Sequence, residues 1–422
     1  MEKIKRILYA RRYFFGIFAF ILLYAFIVVG QCRPWRAYDT SFSFHALDFG
    51  FGFGSFLWPG QLYQWICGAP RMDSLTVYYT VLLLAFFVAL AAFLDRLVNR
   101  IEKKDRAVAL VLIFLFLTGP STFSVFVTDI GFFEVYWVFL AVLCFLFLAY
   151  KPLNLLIAPL CVLALMLNYA AMICYVPFFC ILLLYKYVTE TSKSAKKMLL
   201  VSFLLCVAVS VPSFGYLVLN TQKNMKYTLE EFNTIMRARG VKEFSYVDIL
   251  LYGREAETYP AAFYETLHNS AFYTPGDSLT PIQEVLNFVE FRTMWVLYSL
   301  WYRNPLRVLV PLLILLPVVA LIFGFSFGEL RNKHNPRLRR FVFFCIPALP
   351  VLGMSASLLV SHDTFKWMDF TFLPLFSSFL YVLYREPENV IPFVRRFISP
   401  FTAPQIGMYA VMYSFCVFNA YF

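Results

Sequence analysis

The chain has 422 residues, of which 61% are hydrophobic and 14% are charged, and its formal net charge is +11. Its mean hydropathy is +0.70. These values exclude an ordinary soluble protein, because a single soluble core stops growing near roughly 250–300 residues and cannot bury so much hydrocarbon. The apolar residues occur in long continuous runs, which favours membrane helices over strands with period-two alternation.

The apolar runs predict an all-α, polytopic transmembrane bundle. Allowing roughly 20 residues for each crossing, we expect about eleven spans. The predicted spans lie near residues 14–30, 76–94, 107–118, 131–150, 153–168, 171–187, 198–219, 305–327, 341–360, 370–384 and 404–420.

Lysine and arginine are concentrated in alternate connections between these runs. They cluster before residue 13 and at 96–106, 186–197, 331–340 and 385–396. Because positively charged connections stay on the cytoplasmic side, we expect the N-terminus inside and the C-terminus outside. The positive charge therefore reflects topology. No nucleic-acid partner is predicted, since no basic stripe outside the bilayer carries interleaved aromatic residues.

The chain divides into two membrane modules separated by an inserted loop. We expect an N-terminal module at 1–219 with a first outer loop at 31–75, an extracytoplasmic helical loop at 220–304, and a C-terminal module at 305–422. A capping box at Thr228–Glu231 and the pair Thr280-Pro281 predict helices in the inserted loop. The uncharged stretch 153–187 is too short for two full spans, so we expect short or partly re-entrant helices there.

Ionisable residues are scarce in the middles of the spans and collect at the outer edge. In the first outer loop, the segment YDTSFSFHALDFGFGFGSFLWPG contains Asp39, His45 and Asp48. A partly buried carboxylate here can act as general base toward an acceptor hydroxyl. Alternatively, either acid is a solvated loop residue or a partner of Arg33 or Arg36.

Two more acids flank the start of the fourth span in the segment TDIGFFEVYW. Glu134 lies about one turn inside the span, where an unpaired carboxylate is costly, so we expect it to face a wet cavity. With Asp129 it could bind a metal ion, a hydroxyl or a cation. A structural ion pair with Arg36 or Lys366 is the alternative.

The segment SHDTFKWMD forms the short outer connection before the tenth span. His362, Asp363 and Lys366 lie beside the membrane there, and an ammonium group and an imidazole suit a lipid-linked phosphate. A polar tight turn with an interfacial Trp367 is the alternative.

Cysteine and histidine spacing predicts no metal site. A divalent cation bound by the outer acids, such as Asp129 and Glu134, is an alternative. Cys32 and Cys67 both lie in the first outer loop, where a disulfide bond or two free thiols can occur.

Three segments together resemble a group of uncharacterised polytopic bacterial proteins associated with surface-polysaccharide assembly. They are DFGFGFGSFLWPGQLY, TGPSTFSVFVTDIGFFEVYW and SHDTFKW. More loosely, the layout is similar to C-type (GT-C-like) glycosyltransferases. The resemblance implies a multi-pass protein of the bacterial inner membrane with a polyprenyl-phosphate-linked sugar donor. Asp39 or Asp48 is then the base, and Lys366 with His362 contacts the phosphate.

The chain departs from this resemblance at two places. Lys366 stands where an arginine is expected before Trp367, and Asn168-Tyr169 stands where a His-Glu pair is expected. The first change weakens bidentate phosphate binding, and the second removes an acid–base pair. An inactive member, or one with an altered substrate, is therefore an alternative.

Three functions are consistent with these patterns. Polar residues at the outer rim favour an outward-facing glycosyltransferase or polymerase whose partners are membrane lipids and a lipid-linked saccharide. A secondary transporter or lipid-linked saccharide flippase would instead need broken helices and ionisable groups near the midplane. A non-catalytic scaffold is the third hypothesis.

Overall fold

The computed structural model describes residues 11–32, 58–68, 72–119, 133–167, 169–220, 306–360 and 364–421. These residues form helices joined by short turns, and no strand occurs among them. The predicted all-α class is confirmed for this part of the chain. The predicted outer loop at 220–304, with its two helix starts, lies outside the described residues apart from Asn220.

The uncharged runs of Leu, Phe and Val form helices because a helix satisfies every backbone polar group within its own segment. A helix coincides with each of the predicted spans. The described ranges contain α1 (Arg12–Cys32), α2 (Trp58–Cys67), α3 (Met72–Arg100), α4 (Arg106–Leu117), α5 (Phe133–Ala149), α6 (Ile157–Leu167), α7 (Tyr175–Thr189), α8 (Lys193–Asn220), α9 (Leu306–Arg331), α10 (Arg337–Val360), α11 (Thr364–Arg385), α12 (Pro387–Ile398) and α13 (Ala403–Tyr421).

Three of these helices contain a segment long and apolar enough to cross a membrane by itself. The segments are Val77–Arg100 in α3, Lys193–Tyr216 in α8 and Leu313–Arg331 in α9. Shorter apolar helices occur at Arg12–Phe26, Tyr136–Ala149, Lys151–Leu167 and Tyr175–Thr189.

The predicted short helix pair is confirmed. Helix α6 has 11 residues and α7 has 15, so they extend for about 16 Å and about 22 Å. A hydrocarbon layer is about 30 Å thick. A 3₁₀ helix at Lys151–Leu156 precedes α6, and another at Tyr169–Met172 lies between α6 and α7. The regular α-helical part of this pair is therefore too short to cross a bilayer.

The core of the bundle is built largely from aromatic rings. Phe93 of α3 stacks on Phe145 of α5 with ring centroids 4.8 Å apart. Phe145 in turn stacks on Tyr381 of α11 at 6.0 Å. These rings are buried, so α3, α5 and α11 are fixed against one another by dispersion and ring geometry.

Charged side chains connect the helices at one end of the bundle, which we call the basic end. Arg11 pairs with the buried Asp95 of α3 at 3.2 Å, and Arg395 of α12 pairs with Asp105 at 2.5 Å. At the same end, Arg385 donates to the hydroxyl oxygen of Thr189 at 3.1 Å. These contacts place the start of α1 beside the end of α3, α12 beside the start of α4, and the end of α11 beside the end of α7.

Helix α12 is an amphipathic element that the sequence prediction missed. It begins with Pro387, a residue favoured at the first helical position. Its apolar side chains Val390, Ile391 and Val394 are buried against the bundle. Arg396 is exposed, and such a helix is suited to lie along a membrane surface.

Candidate functional site

Most of the residues predicted to form the site lie outside the described residues. These are Arg36, Asp39, His45, Asp48, Asp129, His362 and Asp363. The backbone is described for two others: Glu134 is the second residue of α5, and Lys366 is the third residue of α11. Both positions are in the first turn of a helix that starts at the end of the bundle opposite the basic end.

That opposite end is rich in buried aromatic side chains, and we call it the aromatic end. It is defined by Trp58, Tyr63, Tyr136, Trp137 and Tyr175. The Trp58 side chain is half-buried, and the other four side chains are buried. The segment 33–57 with the predicted acids leads directly into α2 at this end.

Two indole groups bind the end of the short helix α6. Trp137 donates from Nε1 to the carbonyl oxygen of Ala164 at 2.9 Å, and Trp58 donates to the carbonyl oxygen of Leu163 at 3.1 Å. Ala164 is one of the last four residues of α6, whose carbonyl groups have no partner within the helix. The two indoles therefore stabilise the C-terminal end of α6.

A group of phenols lies next to these indoles. The hydroxyl groups of Tyr63 and Ser74 share a hydrogen bond of 2.6 Å, which ties α2 to the start of α3. The Tyr63 ring packs edge-on against Tyr78 with centroids 5.3 Å apart. Tyr79 and Tyr136 complete the group, and their phenols interact. The aromatic end thus combines apolar ring faces with hydroxyl groups.

Because Tyr63, Tyr79 and Tyr136 are buried, their rings stabilise the packing of α2, α3 and α5 at this end. The sequence prediction missed the aromatic cluster. The pairs Tyr78-Tyr79 and Tyr136-Trp137 at the outer ends of two predicted spans could have revealed it, because the rest of those spans is mostly Leu, Phe, Val and Ala.

Charge is distributed very unevenly along the described helices. Every Lys, Arg, Asp and Glu whose side chain is described lies at the basic end or in the turns next to it. The described middles of the helices carry serine as their main polar residue, as at the buried Ser202, Ser326 and Ser377. The described middles of the helices therefore carry no charged side chain.

The largest charged cluster at the basic end is centred on Arg339. Its guanidinium group bonds to Glu329 and to Glu386, with shortest distances of 2.7 Å and 2.6 Å. Burial alone would raise the pKa of Glu386, but hydrogen bonds from Arg339 and Asn389 and the charge of Arg339 outweigh it. The pKa of Glu386 therefore lies below its ordinary value. The cluster joins the end of α9, the start of α10 and the turn between α11 and α12, which indicates a structural role.

Among the described residues, no three His, Cys, Asp or Glu side chains are grouped as metal ligands. The outer acids considered for a divalent cation have no described side chains. Cys67 at the end of α2 is a free, half-buried thiol, while the side chain of Cys32 is not described.

The chain matches no protein-family model, and its comparison with curated proteins and with solved structures gives no match.

Proposed function

We propose that the chain is an integral membrane glycosyltransferase or polymerase acting on the outer face of a bacterial cell membrane. Its donor is a sugar carried by polyprenyl phosphate, and its product is part of a surface glycan. The proposed fold is GT-C-like, with about eleven spans, a cytoplasmic N-terminus and an outer C-terminus. The resemblance of the first outer loop, the fourth span and the SHDTFKW segment supports this proposal.

The observation that carries the proposal is the one-sided distribution of charge. The described charged side chains gather at the basic end, which the positive-inside rule assigns to the cytoplasm. Glu134 and Lys366 lie in first turns at the other end. A site for chemistry at the outer membrane surface needs polar groups at that end, and it needs no polar conduit through the uncharged middle of the described helices.

The helix starts favour the proposed roles of these residues. The positive end of the helix dipole stabilises a carboxylate in the first turn, which suits Glu134 in α5. A phosphate group is likewise favoured at a helix N-terminus, and α11 begins at Thr364, directly after His362 and Asp363. Lys366 in that first turn adds a cation for the same phosphate.

In the proposed reaction, Asp39 or Asp48 accepts the proton of an acceptor hydroxyl group as its oxygen bonds to the anomeric carbon of the donor. The bond between that carbon and the phosphate oxygen breaks, and the polyprenyl phosphate leaves with the bonding electrons. Lys366 and His362 donate charge-assisted hydrogen bonds to the departing phosphate. Asp129, Asp363, Arg36 and His45 are proposed to bind the substrate, and Glu134 is a further candidate base.

Transport of a lipid-linked saccharide is the second candidate function, because α6 and α7 are short and separated by a 3₁₀ turn. Discontinuous helices of this kind form the substrate sites of many transporters. Those sites usually also need charged side chains near the midplane, and the described middles of these helices carry no Asp, Glu, Lys, Arg or His.

The proposal is tested by replacing its central residues in the native host. Asp39→Asn, Asp48→Asn and Lys366→Ala should each abolish surface-glycan assembly while the amount of protein in the membrane stays normal. Glu388→Gln, an exposed acid of α12 at the basic end, is the matched control and should keep full activity. Normal glycan assembly in all three site variants would refute the site.

A further inference from the structure

A groove runs between α1 and α4, beginning at the basic end. Its volume is about 300 Å³. Side chains of both helices line it, and all are apolar apart from Arg12 and Tyr13 at its mouth. From Arg12 to Phe20 the groove follows eight residues of α1, which corresponds to about 12 Å along the helix.

Gly16 leaves the middle of this groove open. A Cβ atom at this position would meet no other atom within 4 Å, so the space beside the glycine is empty. Ile17 of α1 and Ile113 of α4 form the walls. At the far end the rings of Phe20 and Phe114 approach to a centroid distance of 5.5 Å and close the gap between the helices.

Two guanidinium groups converge on Tyr13 at the mouth of the groove. Arg12 and Arg106 each donate a hydrogen bond of 3.3 Å to the phenol oxygen of Tyr13. Their carbon centres lie 5.0 Å and 5.2 Å from its ring centroid. Arg106 also donates to the backbone oxygen of Ile101 at 3.1 Å, so both of its acceptors are neutral. The mouth therefore carries two neighbouring positive charges around one neutral ring.

Two acids at this end are bound by other arginines. Asp95 pairs with Arg11, and Asp105 pairs with Arg395. Neither carboxylate therefore neutralises the Arg106 side of the mouth. An anion arriving from outside the protein can bind there through charge-assisted hydrogen bonds.

We infer that this groove binds one acyl chain of an anionic glycerophospholipid from the leaflet at the basic end, with its phosphate at Arg12 and Arg106. A narrow apolar groove on the membrane surface of a protein suits a lipid chain, and cations at headgroup level attract anionic lipids. This inference rests on the membrane placement proposed above. It does not depend on glycosyl transfer, because the groove starts at the opposite end from the proposed active site.

The test is native mass spectrometry of the full chain in detergent, titrated with phosphatidylglycerol or with phosphatidylcholine. The unaltered protein should retain one molecule of phosphatidylglycerol more tightly than phosphatidylcholine. Gly16→Leu fills the groove and should remove that tight lipid. Gly328→Leu is the matched control, since Gly328 is an exposed helical glycine of α9 that also has nothing within 4 Å.

A double variant, Arg12→Gln with Arg106→Gln, tests the mouth without filling the groove. Removing two cations near the membrane surface should weaken phosphatidylglycerol binding roughly thirtyfold and leave phosphatidylcholine binding unchanged. Arg331→Gln, an exposed charge at the same end, should change neither. The double variant also provides the test if Gly16→Leu does not fold.

Four results would overturn the inference. The first is equal retention of the two phospholipids by the unaltered protein. The second is an equal loss of lipid in Gly16→Leu and Gly328→Leu. The third is phosphatidylglycerol binding that is unchanged in the double arginine variant. The fourth is displacement of phosphatidylglycerol by an equal concentration of undecaprenyl phosphate, which would assign the groove to a polyprenyl lipid.

Discussion

Arg339 donates from Nη1 and Nη2 to the two carboxylate oxygens of Glu386, at 2.6 Å each. The two residues lie 47 positions apart, and this bidentate pair joins the start of α10 to the turn between α11 and α12. Because Arg339 also bonds to Glu329 of α9, one guanidinium group holds three parts of the C-terminal module together at the basic end.

Arg339→Gln should destabilise the protein by about 3 kcal/mol, because it leaves two partly buried carboxylates without their cation. The measurement is the thermal midpoint in detergent, followed with a thiol-reactive dye. Buried cysteines such as Cys144 and Cys161 report unfolding when they become accessible.

The matched control for Arg339 is the exposed ion pair of Lys104 and Glu102, with a distance of 2.8 Å. Exposed pairs contribute little to stability, so Lys104→Gln should leave the thermal midpoint unchanged. Equal effects of Arg339→Gln and Lys104→Gln would contradict a structural role for the Arg339 cluster.

The lowered pKa of Glu386 predicts a specific loss of stability in acid. A carboxyl group whose folded pKa is below its unfolded value of about 4.3 stabilises the fold above that pH, and this contribution disappears as the pH falls through the folded pKa. The thermal midpoint of the unaltered protein should therefore fall as the pH drops below about 4.3. Glu386→Gln should show a smaller fall over the same interval, and an equal fall would refute the assignment.

Lys186 is a buried cation that binds two neutral oxygens. Its Nζ donates to the carbonyl oxygen of Leu148 at 2.6 Å and to Oδ1 of Asn154 at 3.0 Å. Lys186→Met keeps the apolar stem but leaves these acceptors unsatisfied, so we expect a loss of about 1–3 kcal/mol. Thermal unfolding should distinguish it from Lys197→Met, an exposed lysine of α8; similar midpoints for the two variants would contradict the prediction.

Helix α2 offers two tryptophans with opposite surroundings. Trp58 donates to the carbonyl oxygen of Leu163, whereas Trp65 is 83% exposed. Trp58→Phe should cost about 1 kcal/mol through the lost hydrogen bond, and Trp65→Phe should cost nothing measurable. Limited proteolysis near α2 and the thermal midpoint measure these effects. A larger effect of Trp65→Phe than of Trp58→Phe would contradict the position of α2 in the structure.

Much of the helical framework could be predicted because each helix is specified by the residues of its own segment. Continuous apolar runs specify helices at nearly the positions where the structure has them. The helices α2 and α12 were missed because each is short and lies within a predicted connection. Pro59 and Pro387, both at or near a first helical position, were the available clues.

The contacts between helices could not be predicted from the sequence. The Arg339–Glu386 pair and the bond from Trp137 to the oxygen of Ala164 join residues far apart in the chain, and neither spacing nor composition encodes them. Asp39 and Asp48 are not among the described residues, so their roles stay predictions.

The most direct test of glycosyl transfer at the aromatic end measures which membrane leaflet accumulates the lipid-linked donor when the proposed bases are removed. Host cells carrying Asp39→Asn and Asp48→Asn together should accumulate the polyprenyl-phosphate-linked sugar in the outer leaflet. A membrane-impermeant oxidant such as periodate would detect it there on intact cells. Accumulation only in the cytoplasmic leaflet would contradict transfer at the outer face and would favour transport of the lipid-linked saccharide instead.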